Sequence, residues 1–231
     1  MEQLSAIYET KIKCINCKKE FKSMKVRSKF NQVKDIEKDF RMSYINKENG
    51  IEPFLYSIHV CEHCGFSFND TFNSYFKVGQ PEKIKELISS KWVNRSYAHE
   101  RSLEESLVIF KLALHSALVK EEYNILIAQL CMKISWIYKD LGDEENENVF
   151  LKNALNYYKE SYSTGDSAHL DFSVEYVCYM IGYLNVKLGY LNESVFYISK
   201  VIENQNKIKN KKLLDFTFDL WEEVKDKRRD S

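Results

Sequence analysis

Two cysteine pairs constrain this chain more than any other feature. Cys14-Ile-Asn-Cys17 is followed, after residues 18–60, by Cys61-Glu-His-Cys64-Gly65. Two residues between cysteines let a tight knuckle turn both sulfurs toward one ion, and two knuckles complete the tetrahedral four-sulfur shell that Zn²⁺ accepts. Glycine after the last cysteine permits the left-handed backbone of such a turn. The spacing therefore predicts one structural zinc on Cys14, Cys17, Cys61 and Cys64. Because the spacer exceeds what a compact ribbon needs, residues 30–52 read as an insertion. A redox role for either pair would require a thioredoxin-like βαβ setting, which surrounds neither. His63 is an alternative ligand, but four thiolates close the shell without it; His59 reads as a similar bystander.

Around these pairs, Phe54, Tyr56, Ile58 and Val60 alternate with Leu55, Ser57 and His59, predicting a strand into the second knuckle, and residues 21–26 predict another. Beyond Gly79 the pattern becomes helical, with Pro81 at a first-turn position. The chain has only seven Gly and two Pro among 231 residues, so little interrupts long helices. Ser102 and Glu105 stand in capping-box spacing ahead of Leu103, Leu107, Phe110, Leu114 and Leu118. Further helices are expected over about 123–141, 144–162, 169–188, 193–205 and 211–226.

Superimposing Leu141-Gly142 on Leu188-Gly189 gives a 47-residue register. Cys131 then falls on Cys178, Ile134 on Ile181, Ser135 on Gly182, Leu151 on Ile198 and Leu155 on Ile202. Matching apolar, small and turn positions in successive helix pairs mark a stacked helical-hairpin repeat. Tyr138, Gly142, Leu151 and Ala154-Leu155 resemble the tetratricopeptide repeat, although its usual period is shorter. The expected fold is thus mainly α: residues 1–78 form a small, β-containing, zinc-ribbon-like domain with an insertion, and residues 79–231 a tetratricopeptide-like helical array.

Formal charge is zero, from 34 basic and 34 acidic residues, so no global field drives the chain onto nucleic acid or a membrane. Residues 11–29 nonetheless hold eight basic side chains against the single acid Glu20. The polar start and the short, charge-interrupted apolar stretches predict neither export nor a membrane span. A reducing cytoplasm suits six cysteines used for metal and core packing. Cys131 and Cys178, on apolar helix faces, read as core residues, and His99, His115 and His169 lack paired spacing. No nucleophile elbow, phosphate loop, dinucleotide fingerprint or zinc-protease motif occurs, so no catalytic residues are expected.

The segments Cys14-Ile-Asn-Cys17-Lys-Lys-Glu-Phe21, Lys25-Val-Arg-Ser28, Gly50-Ile-Glu-Pro53, Val60-Cys61-Glu-His-Cys64-Gly65, Arg101-Ser-Leu-Glu-Glu-Ser106 and Trp136-Ile-Tyr-Lys-Asp-Leu-Gly-Asp143 resemble the bacterial family catalogued as domain of unknown function 2225. That resemblance implies no activity. It also implies that a further cysteine, frequent where this chain has Arg41, is not an essential ligand.

Two uses follow from these readings. The first is a non-catalytic zinc-binding scaffold or adaptor that takes a peptide or protein partner on the helical groove. Mapping groove positions through the 47-residue register selects Gln129, Met132, Trp136 and Lys139, then Tyr176, Tyr179, Tyr183 and Lys187. Large aromatics beside lysines suit an apolar segment carrying acidic groups. The alternative is a nucleic-acid-associated regulator binding through Lys18, Lys19, Lys22, Lys25 and Arg27.

Overall fold

The computed structural model describes residues 4–45 and 51–229; Gly50 of the family pattern lies outside them. The described residues are mainly helical, at 58%. Among the described residues are seven α-helices: α1 (Gln80–Leu87), α2 (Leu103–Lys120), α3 (Asn124–Asp140), α4 (Glu144–Thr164), α5 (Val174–Lys187), α6 (Leu191–Glu203) and α7 (Lys211–Arg229). Six strands precede them, as three antiparallel pairs: β1 (Ile7–Lys13) with β2 (Glu20–Val26), β3 (Val33–Ile36) with β4 (Met42–Tyr44), and β5 (His59–Val60) with β6 (Ser67–Phe68). No described helix is long and apolar enough to cross a membrane.

Two compact units emerge. The first takes the chain up to Glu122 together with Trp136–Asp143, and the second takes Tyr123–Ser135 with everything from Glu144 onward.

In the first unit, β1–β2 and β5–β6 each wrap one cysteine knuckle, and β3–β4 is a hairpin within the predicted insertion. Between them the expected strand over 54–60 is cut short. Pro53–Tyr56 forms a 3₁₀ turn, buried on every side, and only His59–Val60 pairs as strand. The alternation misleads because burial here is not one-sided: Phe54, Leu55, Tyr56 and Ile58 are all buried. Arg101 fixes the turn, its buried guanidinium donating to the carbonyls of Leu55 at 2.6 Å and Ile58 at 3.1 Å. Helix α2 begins as expected, with Ser102 Oγ accepting the Glu105 amide at 3.2 Å.

The turn between β3 and β4 is held to the end of α3. Arg41 makes a two-pronged ion pair with Asp140 at 2.8 and 2.6 Å. Asp39 takes the Arg41 amide on one oxygen and the Trp136 indole N–H on the other, at 3.0 and 2.8 Å. Phe54 sits between the Arg41 guanidinium and the edge-on Trp136 ring, at 5.3 and 5.7 Å. Burial alone pulls Arg41 toward losing its proton, but the Asp140 hydrogen bond and charge outweigh it and raise its pKa.

In the second unit, α5 is central and packs on α4, α6 and α7. Its approach to α6 is close because Gly182 has no side chain: a Cβ there would lie 2.8 Å from Ile198 Cγ1. Ser194 Oγ bonds the Gly182 carbonyl at 3.0 Å in the same contact. Asp166 receives the amides of Asn124 and Ile125 and the Ser161 hydroxyl, and so satisfies the N-terminal donors of α3.

The 47-residue register reappears in backbone bonding. After α3, the amides of Gly142 and Asp143 reach the carbonyls of Lys139 and Tyr138; after α5, those of Gly189 and Tyr190 reach Val186 and Asn185. Both are the Schellman ending, with glycine at φ 73° and 83°.

Candidate metal centre

Each knuckle follows from the same local bonds. The Cys14 amide donates to Lys19 O and the Lys18 amide to Cys14 O; likewise Cys61 donates to Phe66 O and Gly65 to Cys61 O. The chain thereby reverses between paired strands and leaves both sulfurs of each pair on one side. Cys14 and Cys64 sulfurs stand 3.7 Å apart, Cys17 and Cys61 sulfurs 3.6 Å, and all four lie within 4.8 Å of one another. A tetrahedral shell with Zn–S bonds of about 2.3 Å has sulfur–sulfur edges of about 3.8 Å. The donor set therefore fits a single four-coordinate ion.

Its electrostatics agree. Hydrogen bonds from Cys14 and Cys61 draw the Cys64 thiol down to about 2, aided by the Phe66 amide and the Asn16 side chain. Bonds to Cys61 and Cys64, together with burial, push Cys14 far up. Four thiolates at this separation require a cation between them.

Neighbouring side chains close the site. Trp92 lies over Gly65, where a Cβ would meet indole carbons at 2.5 Å, and its N–H donates to Glu62 O at 2.8 Å. Phe21 meets Phe68 edge-on at 6.3 Å and joins the two strand pairs. His63 is exposed and bonds Glu20 O at 2.9 Å, beside the four-sulfur set. His59, the other bystander, is 3% exposed and bonds Ser23 Oγ at 2.9 Å, and burial lowers its pKa to about 4. Trp92, Ser23 and Arg101 carry no spacing signal that would have marked them.

The basic side chains do not form one surface. The β1–β2 register sets Lys22 opposite Lys11 and Lys25 opposite Tyr8, so alternation puts Lys22 and Lys25 on opposite faces. Lys22 pairs with Glu9 at 3.0 Å, Arg27 bonds Ser5 O and covers the Tyr8 ring, and Lys18 bonds Ile15 O at 2.6 Å. Lys19 is exposed.

The predicted groove is likewise divided. Trp136, Met132 and Tyr179 are 9%, 2% and 0% exposed, which corrects their assignment to an open face. Trp136 is taken up by Asp39 and Phe54, and Tyr179 stacks on Phe216 at 6.3 Å. Gln129, Tyr176 and Tyr183 are half-buried, and Lys139 and Lys187 exposed, with the Lys187 ammonium 5.7 Å from the Tyr183 ring. Cys131 and Cys178 are core residues, their thiols pushed by burial up to about 12 and 11.

Two strand–knuckle–strand units present four clustered cysteine sulfurs that could hold one metal ion, and a helical region follows them. The chain belongs to the family described as uncharacterized protein conserved in bacteria (DUF2225), whose model matches residues 7–224. No curated protein and no solved structure matches it.

Proposed function

We propose that this is a non-catalytic, zinc-stabilised interaction protein of the cytoplasm, in which the metal holds the N-terminal fold and the helical unit captures a protein or peptide. The donor set carries the reading: four thiolates fill a tetrahedral shell and leave no position for water or substrate, the pattern of structural zinc. The repeated Schellman turn supports tetratricopeptide-like hairpins. Of the predicted contact residues, Gln129, Lys139, Tyr176, Tyr183 and Lys187 keep exposed surface, the last three on α5. They suit an apolar segment with acidic groups.

Affinity capture with the wild-type chain and with Tyr183→Ala combined with Lys187→Glu tests this. Loss of a captured partner from the variant, with zinc content and helicity unchanged, is expected. Identical partners from both chains reject it. The nucleic-acid alternative is less well supported, since its lysines are split between faces and partly engaged.

A further inference from the structure

We propose that a cavity in the first unit, bordered by β2 and by the turn after β6, binds a small zwitterion of the α-amino-acid type. The cavity measures about 300 Å³, which reaches the lower end of the roughly 300–1,000 Å³ typical of ligand pockets. It is separate from the four sulfurs, none of which lines it.

The charges define the ligand. Lys25 and Asp70 both line the cavity, and among the described residues neither side chain has an ion-pair or hydrogen-bond partner. They do not pair with each other, yet both line the same space as the His59 ring. A half-buried cation and an exposed anion on the walls of one cavity, not paired with each other, suit a molecule that carries both signs. Its carboxylate would meet Lys25 and its ammonium Asp70, each as a charge-assisted hydrogen bond. A ligand of one charge would satisfy one side chain and leave the other unmatched.

The remaining wall fits the rest of such a molecule. Tyr56 and Pro53, both buried in the 3₁₀ turn, and Val26 offer apolar surface for a side chain. Asn31 adds an amide that both donates and accepts. Arg101 stacks on Tyr56 at 5.1 Å and holds that turn by its carbonyls, so the wall is built before any ligand arrives.

The test is an amide NMR titration of the zinc-loaded full chain with each common L-amino acid, and then with the N-acetyl and carboxamide derivatives of the strongest binder. Saturable shifts confined to cavity residues are expected at millimolar concentration. Each derivative should bind at least about tenfold more weakly, the loss of one charge-assisted hydrogen bond. Lys25→Met should abolish discrimination against the carboxamide, and Asp70→Asn discrimination against the N-acetyl form. The proposal is overturned if no amino acid gives saturable shifts, or if both derivatives bind the wild-type chain as well as their parent; these arms need no variant to fold.

Discussion

Lys18 and Gly65 occupy the same place in two knuckles, one residue past the second cysteine of each, at φ 62° and 71°. The left-handed region costs an ordinary L-residue about 1–2 kcal/mol. Lys18→Gly should therefore stabilise the first unit by up to about 1 kcal/mol, after the entropic cost of glycine. Gly65→Ala should lose about 1–2 kcal/mol to backbone conformation and about 1–3 more to overpacking, because Trp92 already fills the space. Thermal unfolding at fixed zinc concentration measures both.

One zinc per chain is expected on elemental analysis of protein prepared in reducing, zinc-replete buffer. Replacing Cys14 or Cys61 by Ser should reduce metal content to near zero and unfold the β1–β2 and β5–β6 pairs, since so small a region depends on its metal. A strong chelator should do the same to the wild type. Retained strand pairing without metal would contradict the structural role.

Asp140→Ala should destabilise the first unit by about 3 kcal/mol, because it strands the Arg41 charge where little water reaches it. Trp136→Ala should cost about 3–5 kcal/mol as a large core deletion. Asp39→Ala and Trp136→Ala should be non-additive, since each removes the same hydrogen bond. A double-mutant cycle by chemical denaturation reads this directly.

Affinity for DNA or RNA should be negligible at low salt and unchanged when Lys18, Lys19, Lys22, Lys25 and Arg27 become Ala. Binding that falls steeply with added salt, and disappears in that variant, would revive the phosphate-contact reading.

The four-cysteine cluster was legible because two-residue cysteine spacing states the geometry of each knuckle locally. The helical part was legible where signals are also local: the Ser102 cap, and glycines at Schellman positions in register. Trp136 was misread because its helical phase gives a direction and not a neighbour; what covers it is Asp39, 97 residues away in sequence. β1 passed unnoticed although Tyr8, Thr10 and Ile12 alternate with Glu9, Lys11 and Lys13, the period-two signal of a strand. Glu121 adopts the left-handed turn ending α2 at φ 56° with no glycine to announce it. Residues 54–60 failed for the opposite reason, since a segment buried on all sides has no period to read.

With its metal bound, the pairing of Cys14 and Cys17 with Cys61 and Cys64 makes residues 18–60 a closed ring rather than a linear stretch. A protease that cuts once inside that ring would leave two fragments stapled through sulfur and metal, supported by the Ser23–His59 hydrogen bond and the Phe21–Phe68 ring contact. Such a nicked molecule would travel as one body through a sizing column. It would come apart only when the ion was withdrawn, so that a severed backbone and an intact protein could be the same particle.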